Sequence, residues 1–249
     1  MVSVVMPALR FSPEMTESIQ SVLAQTQYLS ELIVVDDSGK GEVKHAIEQE
    51  LGSLPKLKVL VNERNQGSGP SRNNGVSAAQ GSFIAFCDAD DLWLPNKLQK
   101  QIDFMLANKA FFCFTSYSGF DHESGKNRYT VHCKKELGLW DFVKDTRIGT
   151  SSVVIDAQVL KGKIFFPPIR TSQDTVCWIN ILKTGVKAVP LNEVLVRYRE
   201  GNQKATFNKS SAAKDYYNVL RVTLQTSHLR TAYIFLYYAL NAILKRLRK

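Results

Sequence analysis

Short apolar runs alternate with segments whose apolar positions recur every three or four residues through the first part of the chain. Residues 2–6 predict a buried strand. Ser12 then predicts a helix cap with Pro13 at the first helical position, and Met15, Ile19, Val22 and Leu23 fall on one helix face. Residues 32–35 predict a second strand, ending in Asp36-Asp37-Ser38-Gly39, and a helix carrying Val43, Ala46 and Ile47 follows. A third strand is expected at 57–61, and Gly69-Pro70 opens a helix that stops by Gly81. After a fourth strand at 83–86, Pro95 starts a helix with Leu98, Ile102, Met105 and Leu106 on one side. This alternation predicts right-handed crossovers and an α/β fold with a mostly parallel central sheet flanked by helices.

The pattern is less regular further on. Residues 111–117, 151–155, 186–190 and 194–198 predict strands, and 121–128 reads as a polar turn. Phe165-Phe166-Pro167-Pro168 breaks structure before Ser172-Gln173-Asp174, which leads into a helix carrying Val176, Trp178, Ile181 and Leu182. After a polar loop at 200–211 the chain ends in a long helical segment, so the expected division is a main domain over 1–205 and a C-terminal helical segment over 206–249. Residues 229–249 are too short and interrupted to span a bilayer. Their mix of aliphatic, aromatic and basic residues suits either an interfacial helix or one packed on the main domain.

Composition narrows the partners. The net charge of +9 points to an acidic one, and Lys245, Arg246, Arg248 and Lys249 crowd the end of the chain. No array of interleaved basic and aromatic residues supports nucleic acid, so anionic lipid at the inner leaflet is the better match. A start without a basic signal-peptide region, and four cysteines without metal-like or disulfide-like spacing, favour a cytoplasmic protein, peripheral at the inner face of the cell membrane.

Candidate chemistry starts at Phe83-Ile84-Ala85-Phe86-Cys87-Asp88-Ala89-Asp90-Asp91, an apolar run that drives into clustered carboxylates. Like charges at a strand end repel unless neutralised. A divalent cation carried on phosphate oxygens does this, and an acidic turn before a helix is the competing account. In a parallel sheet the ligand crevice lies at the carboxyl ends of the strands, so Asp36 and Asp37 should share a rim with Asp88 and Asp90.

Further segments join these: Val4-Val5-Met6-Pro7, Asn65-Gln66-Gly67-Ser68-Gly69-Pro70-Ser71-Arg72, Leu92-Trp93-Leu94-Pro95 and Gln173-Asp174. In this order and spacing the chain resembles an inverting family 2 glycosyltransferase with a GT-A fold over about residues 1–200. It is similar to the compact bacterial members that build O-antigen, capsule or teichuronic-type polysaccharides. The resemblance implies an enzyme that moves a hexose, galactose or glucose in a β-linkage, from a UDP-sugar to a lipid-linked, polyprenyl-diphosphate acceptor.

It also implies roles. Asp37 accepts a hydrogen bond from uracil in a pocket shaped by Pro7, with Asp36 beside it, and Arg72 lies near the nucleotide. Asp88 and Asp90 form the DXD motif: Asp88 contacts ribose or sugar, and Asp90 binds Mn²⁺ or Mg²⁺ on the diphosphate. Asp91 supports the loop, and Asp174 is the catalytic base. Trp93 either walls the sugar site or packs beneath the loop. The bland readings are a turn-forming acid for Asp37, an exposed helix arginine for Arg72 and a helix cap for Asp174.

Two departures stand out. Gln173 replaces the family's usual glutamate, and no histidine follows Tyr198-Arg199 within Glu200-Gly201-Asn202-Gln203. His45, His122, His132 and His228 read as surface or packing residues. A nucleotidyltransferase on a similar scaffold and a non-enzymatic basic membrane-binding protein are the alternatives.

Overall fold

The computed structural model describes residues 1–200 and 209–247, with side chains over 1–200 and 213–241. A nine-stranded sheet forms its centre. The first half follows the predicted alternation: β1 (Val2–Ala8), α1 (Pro13–Leu23), β2 (Leu29–Asp36), α2 (Glu42–Leu51), β3 (Leu57–Val61), α3 (Ser68–Ala78), β4 (Phe83–Phe86), β5 (Leu92–Trp93) and α4 (Lys97–Asn108). Ser12 caps α1 by accepting from the Met15 amide, with Pro13 in the first turn. Next come β6 (Phe112–Asp121), β7 (Asn127–Val131), the one-turn α5 (Leu139–Phe142), β8 (Val154–Asp156), the one-turn α6 (Ala157–Leu160), α7 (Gln173–Leu182), β9 (Val189–Glu200), α8 (Lys209–Leu224) and α9 (His228–Leu247).

Strand order is β3-β2-β1-β4-β8-β6-β9-β5, with β7 on β6. From β3 to β4 every pairing is parallel; β8 then runs antiparallel to β4, and β6 and β9 pair in parallel. Both faces of the sheet are covered. Val4, Met6, Leu32 and Val34 enter one core with α1 and α4, while Val5, Ile33 and Val35 enter the other with α3 and α7. Strands buried on both sides explain why these runs read as continuously apolar.

Some expectations are revised. Of the expected strand at 186–190 only 189–190 is strand, joined with 194–198 in the single strand β9, which has register irregularities against β6 at Ser116; Ala188 makes an isolated bridge to Leu137. Within 151–155 only the end is strand, because Thr150–Ser152 is a 3-10 turn. Part of the polar stretch after Asp121 pairs as β7, and Leu92–Trp93 pairs with β9. The C-terminal segment is two helices rather than one, broken at Gln225 with φ 52° and restarted by Ser227, whose carbonyl accepts from the Thr231 amide.

Tyr216, Leu220 and Ile234 of these helices enter the main core, and Tyr216 Oη donates to the Val143 carbonyl. The expected boundary at 205–206, the loop after Glu200 and the side chains of Lys245, Arg246, Arg248 and Lys249 lie outside the described residues. Among the described residues no helix is long and apolar enough to cross a membrane.

Glycine and a buried lysine shape the packing on the two faces of the sheet. A Cβ on Gly75 would lie 2.4 Å from Val5 Cγ1, so glycine lets α3 settle directly on β1. On the other face Lys97 is fully buried, with Nζ 2.6 Å from Gln101 Oε1 and 3.9 Å from the Trp93 ring centroid. Burial pushes its ammonium down to about 7 from 10.5. The unfolded state therefore binds more protons between these values, and stability rises with pH across that window. Replacing Lys97 by Met should stabilise the protein at pH 7 by on the order of 1 kcal/mol. The gain should shrink as pH approaches 10, measured by urea unfolding; a gain independent of pH would contradict the buried-ammonium account.

Candidate active site

The strand order reverses between β1 and β4, and there the crevice opens. Ladder pairing of these strands stops at Val5 and Phe86, with one further bond from the Cys87 amide to the Val5 carbonyl. Pro7, two residues beyond Val5, faces the same side and lacks an N–H, so no ladder bond is lost where the strands part.

A cleft of about 410 Å³ occupies this gap, lined by Pro7, Asp37, Asn65, Arg72, Asp88 and Asp90 among others. Beside it lies a second cavity of about 350 Å³, lined by Thr150, Arg170, Gln173 and Asp174. Arg72 and Asp88 line both. Arg72 is only 6% exposed, not the surface arginine of the bland reading, and its Nη2 lies 2.5 Å from Asp88 Oδ1. The neighbouring carboxylates outweigh the cost of burial and raise its pKa further.

Helix α3 sets this partition. Asn73, next to Arg72, donates to the Phe166 carbonyl at 2.8 Å and accepts from the Phe166 amide at 2.9 Å. The Phe166 ring lies 5.5 Å beneath the Arg72 guanidinium. At the start of α3, Ser68 accepts from Gln173 Nε2 at 2.5 Å, so the residue that replaces the expected glutamate ties α3 to α7.

Asp37 is buried at the cleft wall. It accepts from the Asn62 side chain at 2.7 Å, the Gln66 amide at 2.9 Å and the Gly67 amide at 2.8 Å. It thus holds the 65–67 loop and keeps one acceptor position of about four. Asp36 is corrected: its carboxylate is buried away from the cleft and accepts from the Ser38 and Lys44 amides, organising the turn into α2. Trp93 is corrected toward the packing alternative: it is 3% exposed, and its Nε1 donates to the Ser151 carbonyl beneath the acidic loop.

The three acids of the loop occupy different surroundings. Asp88 is paired with Arg72. Asp90 stands exposed at the rim, yet loss of solvation and then the charge of Asp88 raise its pKa. Asp91 is buried, and desolvation, then Asp88 and Asp90, hold it well above the carboxylate range. Ser151 serves the loop from the 3-10 turn, accepting from the Asp88 amide at 3.0 Å and donating to Asp91. From β9, Arg199 Nε donates to the Asp90 carbonyl at 3.1 Å while Nη2 pairs with Glu17. His122 contacts Arg199 at 3.3 Å and Glu14 at 3.2 Å, so this histidine belongs to the network behind the loop.

Asp174 lies in the first turn of α7. Its Oδ1 accepts from the Thr175 amide and its Oδ2 from Thr150 Oγ1 at 3.3 Å, and both Asp174 and Thr150 line the second cavity. Thr150, Ser151 and Arg170 are site residues that sequence reasoning missed. Nothing in their local pattern marks them, although Arg170 stands shortly before the Gln173-Asp174 pair.

Among the described residues no three His, Cys, Asp or Glu side chains gather into a ready metal cage. A Mg²⁺ or Mn²⁺ ion carried on a diphosphate needs only one or two protein carboxylates. Asp90, with Asp88 adjacent, fits that requirement, and a cation there would relieve the like-charge pressure on Asp90.

Residues 3–159 match the family model described as Glycosyl transferase family 2. The chain is 34% identical over 247 residues to a Bacillus subtilis (strain 168) glycosyltransferase provisionally assigned to teichuronic acid biosynthesis, TuaG, covering 99% of this chain and 98% of the relative. It is 30% identical over 250 residues to the Escherichia coli UDP-Glc:alpha-D-GlcNAc-diphosphoundecaprenol beta-1,3-glucosyltransferase WfgD, covering 100% of this chain and 94% of that protein. The crystal structure of S. aureus TarS 1-349 in complex with UDP-GlcNAc superposes with a TM-score of 0.71 at 20% identity, over 96% of this chain and 71% of that one. At that identity the likeness speaks to the fold.

The Arg72–Asp88 pair should separate stability from chemistry. Asp88→Ala strands a buried guanidinium and should cost on the order of 2 kcal/mol, less than a fully buried pair because Asp88 is 33% exposed. Asp90→Ala should change stability by less than about 0.5 kcal/mol. Urea denaturation of the two variants checks this, and equal losses would remove the distinction.

Proposed function

The chain belongs to glycosyl transferase family 2, and from that premise we propose that it moves a hexose from a UDP-sugar to a lipid-linked glycan acceptor, with inversion at the anomeric carbon. The carrying observation is the pair of cavities that meet at Arg72 and Asp88, with Asp37 and Asp90 on one side and Asp174 on the other. A donor in the first cleft and an acceptor in the second would present opposite faces of one sugar carbon.

In this reading Pro7 and Asp37 shape the seat of the uracil ring. Asp88, fixed by Arg72, contacts the ribose or the sugar, and the Arg72 guanidinium lends positive charge to the diphosphate side. Asp90, with Asp88, would hold a Mn²⁺ or Mg²⁺ ion, which supplies charge neutralisation for the departing diphosphate. Asp174 accepts the proton of the acceptor hydroxyl as its oxygen bonds to the anomeric carbon. The bond from that carbon to the phosphate oxygen breaks in the same displacement, and UDP leaves with the electron pair. Thr150 orients the Asp174 carboxylate.

The resemblance to the compact bacterial members points to galactose or glucose, and the substrates that WfgD is named for favour glucose and a diphosphate-linked acceptor. Family membership sets the nucleotidyltransferase and non-enzymatic readings aside. Asp174→Asn should lower kcat by about a hundredfold to ten-thousandfold while leaving UDP binding intact. A panel of UDP-sugars with a synthetic GlcNAc-diphosphate lipid, read by NMR of the product, tests the assignment; full activity of the variant would exclude Asp174 as the base.

Contact with the inner leaflet is supported by α9, whose Leu229, Tyr233, Leu236, Tyr237 and Leu240 are exposed and recur along one helix face. Arg230 stacks on Trp140 at 4.6 Å and Lys144 on Tyr237 at 5.2 Å, which sets cations beside the stripe. Leu229→Asp with Leu236→Asp should reduce sedimentation with anionic vesicles without changing the circular dichroism spectrum. Unchanged sedimentation would sink the membrane contact.

A further inference from the structure

Resting on the transfer function proposed for the two cavities, we propose that the groove between the loop of residues 167–169 and α8 seats the isoprenoid chain of a prenyl-diphosphate acceptor, with Arg170 at its mouth holding the diphosphate. The groove measures about 300 Å³ and is lined chiefly by Pro167, Ile169, Val176, Val219 and Val222. Its floor is the same run of chain that walls the Asp174 cavity. Residues 167, 169 and 176 face the groove, whereas Arg170, Thr171, Ser172, Gln173 and Asp174 face the cavity. A ligand with a polar head in the cavity and an apolar tail in the groove crosses only this short stretch.

The chemistry of the two halves matches such a ligand. Arg170 is exposed beside the cavity, and a guanidinium fork suits the paired oxygens of a diphosphate. Beyond it Val222 is 75% exposed and Ile169 38%, apolar side chains that an aliphatic chain would cover. Thr171 Oγ1 donates to Asp215 Oδ2 at 3.4 Å, pinning the loop to α8 so that the groove keeps its width. A soluble nucleotide sugar has no apolar part to place here, and the cleft at Asp37 and Asp90 is lined by charged side chains, whereas no charged residue lines the groove. The diphosphoundecaprenol in the name of WfgD has this head-and-tail form.

The test is calorimetric and uses the full chain with farnesyl diphosphate, isopentenyl diphosphate and UDP as separate probes. Farnesyl diphosphate should bind at least about tenfold more tightly than isopentenyl diphosphate, since only its longer chain fills the groove. Ile169→Asp with Val222→Asp, both at exposed positions, should abolish that preference and leave the UDP affinity unchanged. Arg170→Ala should weaken both prenyl diphosphates by about tenfold and not UDP. No chain-length preference in the wild type, or its survival in the double variant, overturns the groove. An equal loss of binding to phosphatidylglycerol vesicles by the double variant also overturns it, in favour of a bilayer contact. Chain-length preference without UDP binding would instead bring down the donor reading and leave the groove standing.

Discussion

A buried guanidinium is tolerated only where a partner answers it, and the Arg72–Asp88 pair is that answer. It joins α3 to the loop after β4, across the gap where β1 and β4 part. The approach depends on Gly75, one turn further along α3, where any side chain would strike Val5. On the far side of the pair, Asn73 clamps the Phe166 backbone and so fixes where the chain departs toward Arg170 and Asp174. The packing of one helix on one strand therefore places both walls of the site.

The acidic loop shows how surroundings divide identical side chains. Asp88 is neutralised by an arginine, Asp90 projects to the rim with its pKa raised by lost solvation and then by Asp88, and Asp91 is buried and driven toward its neutral form. Burial makes the difference between the last two, and Ser151 braces the loop. Its hydroxyl accepts from the Asp88 amide and donates to Asp91, so the loop is braced from below while Asp90 stays free to meet a ligand. Arg199 completes the brace by gripping the Asp90 carbonyl rather than its carboxylate.

The C-terminal helices tie this polar centre to apolar surface. α8 contributes Tyr216 and Leu220 to the main core on one side and Val219 and Val222 to the groove on the other. α9 adds Ile234 to the core while its opposite face stays apolar and open. The proposed transfer from a soluble donor to an amphiphilic acceptor calls for both kinds of surface, and these helices offer the second kind.

Much of the fold was legible in the sequence because hydrophobic periodicity is local. The runs at β1, β2, β3 and β4, and the helix starts at Ser12 and Gly69-Pro70, follow from neighbouring residues alone. The general rule that parallel strands end on one rim then brought Asp37, Asp88 and Asp90 together. Which of two adjacent acids faces the crevice was not legible. Asp36 and Asp37 are chemically alike, and only the tertiary positions of the Ser38, Lys44, Gln66 and Gly67 amides assign one to a turn and the other to the cleft wall. Trp93 turned inward for a similar reason: its indole N–H found the Ser151 carbonyl, 58 residues away in the chain. Thr150, Ser151 and Arg170 carry no motif, and their places come from sheet crossings and loop clamps. The sequence by itself determined the scaffold and the acids that end its strands, since both depend on short-range pattern. The tertiary structure decided which acids face a ligand and what braces them, because those contacts join residues that no local spacing relates.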